Sequence, residues 1–182
     1  MSNITTYIGS ITTYIGSSEV GVSRVLSTIA QKRLNECKNV LMISDKRTAD
    51  FSHDDLTWVN HPDLLSVLES YRIINNLALP DVVCIDGISI TANELREVEH
   101  LSNLGVEFHI GQQASRRSVE ETKPKLSMLP VCTVSKQMYI IEPAYDIDHT
   151  IQYALAIPTK NRPGNTDKPI VFKIGNCYDQ LP

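Results

Sequence analysis

With 182 residues, 42% of them hydrophobic and 21% charged, the chain has the size and composition of one globular domain and not those of a disordered or membrane protein. A net charge of -4 argues against general adhesion to nucleic acid, so any phosphate-binding surface has to be local. The four cysteines, Cys37, Cys84, Cys132 and Cys177, form no C-x-x-C pair and have no histidine at zinc spacing, which argues against a disulfide or metal framework. No signal peptide or membrane-length apolar run is visible, so a cytoplasmic protein without a membrane partner is expected.

The chain opens with a seven-residue unit, ITTYIGS, at residues 4 to 10 and again at residues 11 to 17. One tandem pair is too short and too few for a solenoid. Thr, Tyr and Ile favour strands, but only the second copy runs directly into SEVGVS, so the core strand is assigned to residues 11 to 15. The first copy is an added edge strand, a flexible arm, or the relic of a duplication. These readings divide the chain into an arm (1–10), a domain (11–176) and a polar tail (177–182).

Gly16 to Ser23, GSSEVGVS, has the spacing of a phosphate-binding loop, G-x-x-x-x-G-K-[ST], with Val22 in the lysine's place. In such a loop, small residues let backbone N–H groups wrap phosphates at a helix N-terminus, the lysine reaches the outer phosphates, and Ser or Thr binds magnesium. Gly16, Ser17, Gly21, Val22 and Ser23 are therefore the candidate nucleotide-binding residues. A glycine-bearing turn before an ordinary helix gives the same short pattern.

The next stretch, VSRVLSTIAQKRLNECK, carries apolar residues at helical spacing, and NVLMIS (39–44) follows as a buried strand. Residues 61–77 read as a second helix and DVVCID (81–86) as a second buried strand. The strand ends in Asp86, either a magnesium ligand paired with Ser23 or a carboxylate capping the next turn. TANELREVEHLSNLG (91–105), with Thr91 or Asn93 as cap and Gly105 as stop, predicts a third helix. VEFHIGQ (106–112) predicts another strand, residues 116–130 a loop, and the runs TVSKQMYIIEP, IQYALAIPTK and KPIVFKIG further strands, some of them antiparallel. The alternation predicts an α/β fold with a mostly parallel sheet flanked by helices and extra C-terminal strands. His53, His61 and His109 are read as ordinary loop and core residues.

Taken in order, ITTYIGSSEVGVSRVLSTIA, NVLMIS, DVVCID, GVEFHIGQQASRRSVEE and IQYALAIPTKNRPGNTDKPIVFKI resemble the RecA-like ATPase domain of DnaB-type hexameric replicative helicases, phage forms included. The resemblance implies a RecA-like P-loop NTPase fold that takes ATP or another NTP with magnesium. It implies Gln112, with Gln113 beside it, as the γ-phosphate sensor, and Lys160 and Arg162 as the finger that completes a neighbour's site. It further implies single-stranded DNA contact through Arg116, Arg117, Lys123 and Lys125, although Glu120 and Glu121 are interleaved there as on a solvated loop.

Two departures stand against these matches. Val22 removes the lysine, and Asp45, Lys46 and Arg47 stand where the family carries a catalytic glutamate, so that either Asp45 is its shifted substitute or Lys46 occupies its place. Each loss of this kind costs a factor of hundreds or more in rate, so weak or absent hydrolysis is expected. Lys46, or a neighbour's Lys160 or Arg162, is the candidate replacement cation. The expected function is a degenerate helicase-like domain in DNA replication or recombination, self-associating or joined to a helicase or recombinase. The alternatives are a non-catalytic interaction protein that keeps the fold and, less well matched after Gln112, a nucleoside kinase.

Overall fold

The computed structural model of the protein describes residues 9–17, 21–44, 54–61, 63–113, 130–159 and 168–176. Eight strands form one sheet: β1 (Ile11–Gly16), β2 (Val40–Ser44), β3 (Leu56–Val59), β4 (Val82–Asp86), β5 (Glu107–Gln113), β6 (Gln137–Tyr145), β7 (Ile151–Pro158) and β8 (Ile170–Asn176). Their order across the sheet is β3-β2-β4-β5-β1-β6-β7-β8. The six strands from β3 to β6 pair in parallel, while β7 and β8 are added antiparallel at one end. The expected mostly parallel α/β sheet with extra C-terminal strands is what the chain forms.

The helices are α1 (Val22–Asn35), α2 (Leu64–Ile74), α3 (Ala92–Asn103) and the short α4 (Pro130–Val134). Val22, Val25, Leu26, Ile29, Ala30 and Leu34 form the buried stripe of α1. It packs on one face of the sheet against Tyr14, Met42, Cys84 and Tyr139, with Ile174 of β8 closing its end. The opposite face, Ile11, Ile15, Ile43, Ile85, Phe108 and Ile110, is covered by Leu64, Val67 and Leu68 of α2, by Leu95, Val98 and Leu101 of α3, and by Val131. Alternate residues of each central strand therefore serve two separate cores, and this parity decides where every strand-end side chain points.

Capping fixes where α2 and α3 begin. Asp63 accepts the Ser66 N–H ahead of α2. Thr91 and Glu94 form a capping box at the start of α3. The second carboxylate oxygen of Glu94 accepts the Leu64 N–H at 3.2 Å, so one buried side chain ties the starts of both helices. Replacing Thr91 with alanine removes one half of the box and is expected to cost about 1 kcal/mol, lowering the thermal midpoint by roughly 2–4 °C. An unchanged midpoint would show that Glu94 holds the junction alone.

Two elements were not anticipated. Leu56–Val59 is an edge strand only four residues long and half-buried, too short to show an alternation. Pro130–Val134 is a single helical turn begun by proline, where a loop and the start of a strand were expected.

Candidate functional site

Parallel strands deliver their carboxyl ends to one edge of the sheet, and Gly16, Ser44, Asp86 and Gln113 all arrive there. Ser44 pairs in register with Asp86, Asp86 with Gly111, and Gln113 with Gly16. Beyond Gly16 and Ser17 the chain reaches Gly21, whose φ of 84° lies in the left-handed region and suits glycine. Gly21 is the N-cap residue of α1 and supplies no side-chain cap, in contrast to Asp63 and Thr91 at the other two long helices. The first-turn N–H groups of α1 thus receive no side-chain acceptor from their N-cap residue.

Val22 turns inward. It is 1% exposed, and a Cβ built on Gly111 would stand 2.9 Å from its Cγ1, 2.7 Å from Leu26 Cδ1 and 3.3 Å from Asp86 Oδ1. Glycine at 111 is what allows the helix to lie this close to β5. The same contacts place the buried Asp86 carboxylate on the α1 face of the sheet, beneath the start of the helix. The position where a phosphate-loop lysine would stand is therefore filled by an apolar side chain packed into the core.

Ser23, one residue further, carries its hydroxyl to the exposed end of β5, where Gln113 Nε2 donates to it at 3.4 Å. Gln113 shares the α1 face with His109 and Gly111, whereas Gln112 shares the opposite face with Phe108 and Ile110. The glutamine on the α1 side, bonded to Ser23, is thus Gln113, while Gln112 lies on the other face. Residue order alone offered both; the parity with Gly111 separates them. Sequence reasoning also missed Arg24, whose guanidinium donates to the Ile174 carbonyl at 3.1 Å, and Ile174 itself, which packs against Gly21. Together they fasten β8 to the start of α1. Asp45, Lys160 and Arg162 lie outside the described residues, as do Arg116, Arg117, Lys123 and Lys125.

Further along the same face is a part-buried polar chain. Glu107 accepts from Arg33 Nε at 3.1 Å, is hydrogen-bonded to His109 Nε2 at 2.7 Å, and lies 3.6 Å from Lys38 Nζ. His109 Nδ1 in turn meets the Tyr14 hydroxyl at 3.1 Å, and the Tyr14 ring stacks on Tyr139. Burial raises the Glu107 pKa, but the His109 hydrogen bond and charge together with the Arg33 guanidinium outweigh it and hold the carboxyl at about 2. Burial pushes the neighbouring Cys84 thiol up to about 12, which makes it an inert core residue. The reading of His109 as a core histidine agrees with this placement.

A cavity of about 290 Å³ lies at the β3 edge, between that strand and α2, and is lined by residues such as Val59, His61, Ser70 and Tyr71. It is four strands away from β1 and shares no residue with the strand-end site.

Strand order, helices on both faces and a glycine loop at the start of α1 define a RecA-like fold. No family model and no curated protein matches the sequence. Among solved structures, the chain is similar to the flagellar accessory protein FlaH from Methanocaldococcus jannaschii, at 16% identity and a TM-score of 0.63, over 93% of this chain and 88% of that one. That likeness supports the fold and does not single out a helicase of the DnaB type. No helix among the described residues is long and apolar enough to cross a membrane.

Proposed function

We propose that this protein is a degenerate RecA-like P-loop domain that binds a nucleoside triphosphate with magnesium and hydrolyses it weakly or not at all. The observation that carries the reading is the split at the start of α1. Gly21 and Ser23 at the start of α1 and the buried Asp86 at the end of β4 support a phosphate and metal site, while Val22 is packed in the core. Magnesium takes one or two protein oxygens and fills the rest of its shell with water and phosphate. The Ser23 hydroxyl and the Asp86 carboxylate, both toward the α1 side of the strand ends, suit that demand and would hold it. Bound there, the ion would neutralise phosphate charge. The backbone N–H groups of α1 would orient the phosphates, and Gln113, already at Ser23, would meet the outermost one. Ser23→Ala is expected to weaken magnesium-dependent ATP binding about tenfold or more while leaving the fold intact, as fluorescence titration and thermal unfolding would read. Equal affinity for the two proteins would remove Ser23 from the site.

On this reading the domain serves DNA replication or recombination, self-associates or joins a helicase or recombinase ring, and touches single-stranded DNA through Arg116, Arg117, Lys123 and Lys125. Arg162 and Lys160 would then act on a neighbouring subunit, with Asp45 as the residual acidic group. Affinity for a single-stranded oligonucleotide should fall steeply as salt rises, because each phosphate contact releases a counterion. The burial of Val22 favours a second reading, a non-catalytic interaction protein that keeps the fold to modulate such a ring. Absent or salt-independent oligonucleotide binding would support that alternative.

A further inference from the structure

The two ITTYIGS copies are identical, yet the sheet has one slot between β5 and β6 for such a strand. Nothing inside the unit can choose between them. Either copy would present the same tyrosine to His109 and the same isoleucines to the α2 and α3 side. What differs is the sequence around each copy: SEVGVS follows only the second, and ahead of the strand stand Gly9-Ser10 for the second copy and Ser2-Asn3 for the first.

Gly9 is buried against the turn that closes α3. A Cβ there would lie 2.2 Å from the Val106 carbonyl oxygen and 2.5 Å from the Ser102 carbonyl oxygen, both backbone atoms held in place by the turn. The Gly9 carbonyl accepts from Lys136 Nζ at 3.1 Å, and the Ser10 carbonyl accepts the Phe108 N–H at 2.7 Å. Were the first copy in the slot, Ser2 would occupy the place of Gly9 and its Cβ would overlap both carbonyls. We propose that Gly9, the penultimate residue of the first copy, selects the second copy as β1 and thereby sets the length of the β1–α1 loop.

The strand-end glycine would otherwise be Gly9 instead of Gly16, and the chain from it to Gly21 would be longer by one whole unit of seven residues. Loop-closure cost grows slowly with length, so a longer loop alone would not forbid the slip. The slip would abolish the phosphate-loop spacing, so the choice of copy regulates the candidate site. That consequence rests on the nucleotide reading above; the choice of strand does not.

The test uses the full chain carrying the exchange Ser2→Gly/Gly9→Ser, with Tyr7→Phe and Tyr14→Phe as reporters. In the parent background Tyr14→Phe removes the hydroxyl bonded to His109 and is expected to lower the thermal midpoint by about 2–6 °C, while Tyr7→Phe leaves it unchanged. In the exchange background the proposal expects the reverse, with the loss moving to Tyr7→Phe. If Tyr14→Phe stays the costly change there, Gly9 does not choose the copy and the proposal is overturned. Should the exchange chain not fold, a second variant decides. Deleting residues 4–10 leaves one copy preceded by Ser2-Asn3, and its lowered midpoint should be recovered by Ser2→Gly; no recovery overturns the proposal. A reversed tyrosine pattern with unchanged affinity for an ATP analogue would uphold the strand choice and count against the nucleotide reading.

Discussion

Glu107→Ala is expected to destabilise the protein by up to about 3–5 kcal/mol, the cost of breaking a buried pair, because it leaves the part-buried Arg33 guanidinium without its carboxylate partner and breaks the chain through His109 to Tyr14. The Glu107 side chain is 15% exposed and Arg33 24%, so water offsets part of the loss and the lower end of that range is the better expectation. The same group makes stability depend on acid. Its folded pKa of about 2 lies below the ordinary 4.5, so its contribution is complete above about pH 5 and is lost as pH falls toward 2. Denaturant unfolding between pH 6 and pH 2.5 should show the parent losing stability while Glu107→Ala loses correspondingly less. Parallel curves for the two proteins would mean that the carboxylate is not held by these partners.

The second large effect is expected at the loop. Restoring the consensus residue with Val22→Lys should cost on the order of 3 kcal/mol and bring back little or no ATP turnover. Val22 is packed between Leu26 and Gly111, so a lysine starts inside the core and must either bury its ammonium or push α1 away from β5. Asp86 lies close enough to offset part of the charge, but in doing so it would surrender its carboxylate to the lysine and not to a metal. Phosphate release and thermal unfolding measured on the same sample decide the matter. A variant as stable as the parent and turning over ATP would show that the start of α1 can present a cation outward, leaving the missing lysine as the sole defect.

Much of the fold was legible because its signals are long and periodic. The stripe from Val22 to Leu34 has the period of an amphipathic helix, and the apolar runs ending in Ser44 and Asp86 have the length and composition of strands buried on both faces. The edge strand Leu56–Val59 and the turn of helix at Pro130 are too short for period to show, and their stability comes from what they dock against. At the candidate site, the positions of Gly16, Gly21, Ser23 and Asp86 at strand and helix ends were legible from spacing because each closes or opens a readable element. The direction of Val22 and the faces on which Gln112 and Gln113 lie were not legible, since both depend on which face of the sheet α1 covers. Glu107, His109 and Tyr14 are far apart in sequence or hidden within strands, and only the register of β5 against β1 brings them together.

The protein is expected to bind nucleotide without turning it over. The direct measurement is a titration of a fluorescent ATP analogue with magnesium, run alongside phosphate release from ATP, on the protein and on Ser23→Ala and Asp86→Ala. Saturable, magnesium-dependent binding that either substitution weakens, with phosphate release near background, is the predicted result. Turnover at the rate of an ordinary P-loop enzyme, or no binding by the parent protein, would contradict it.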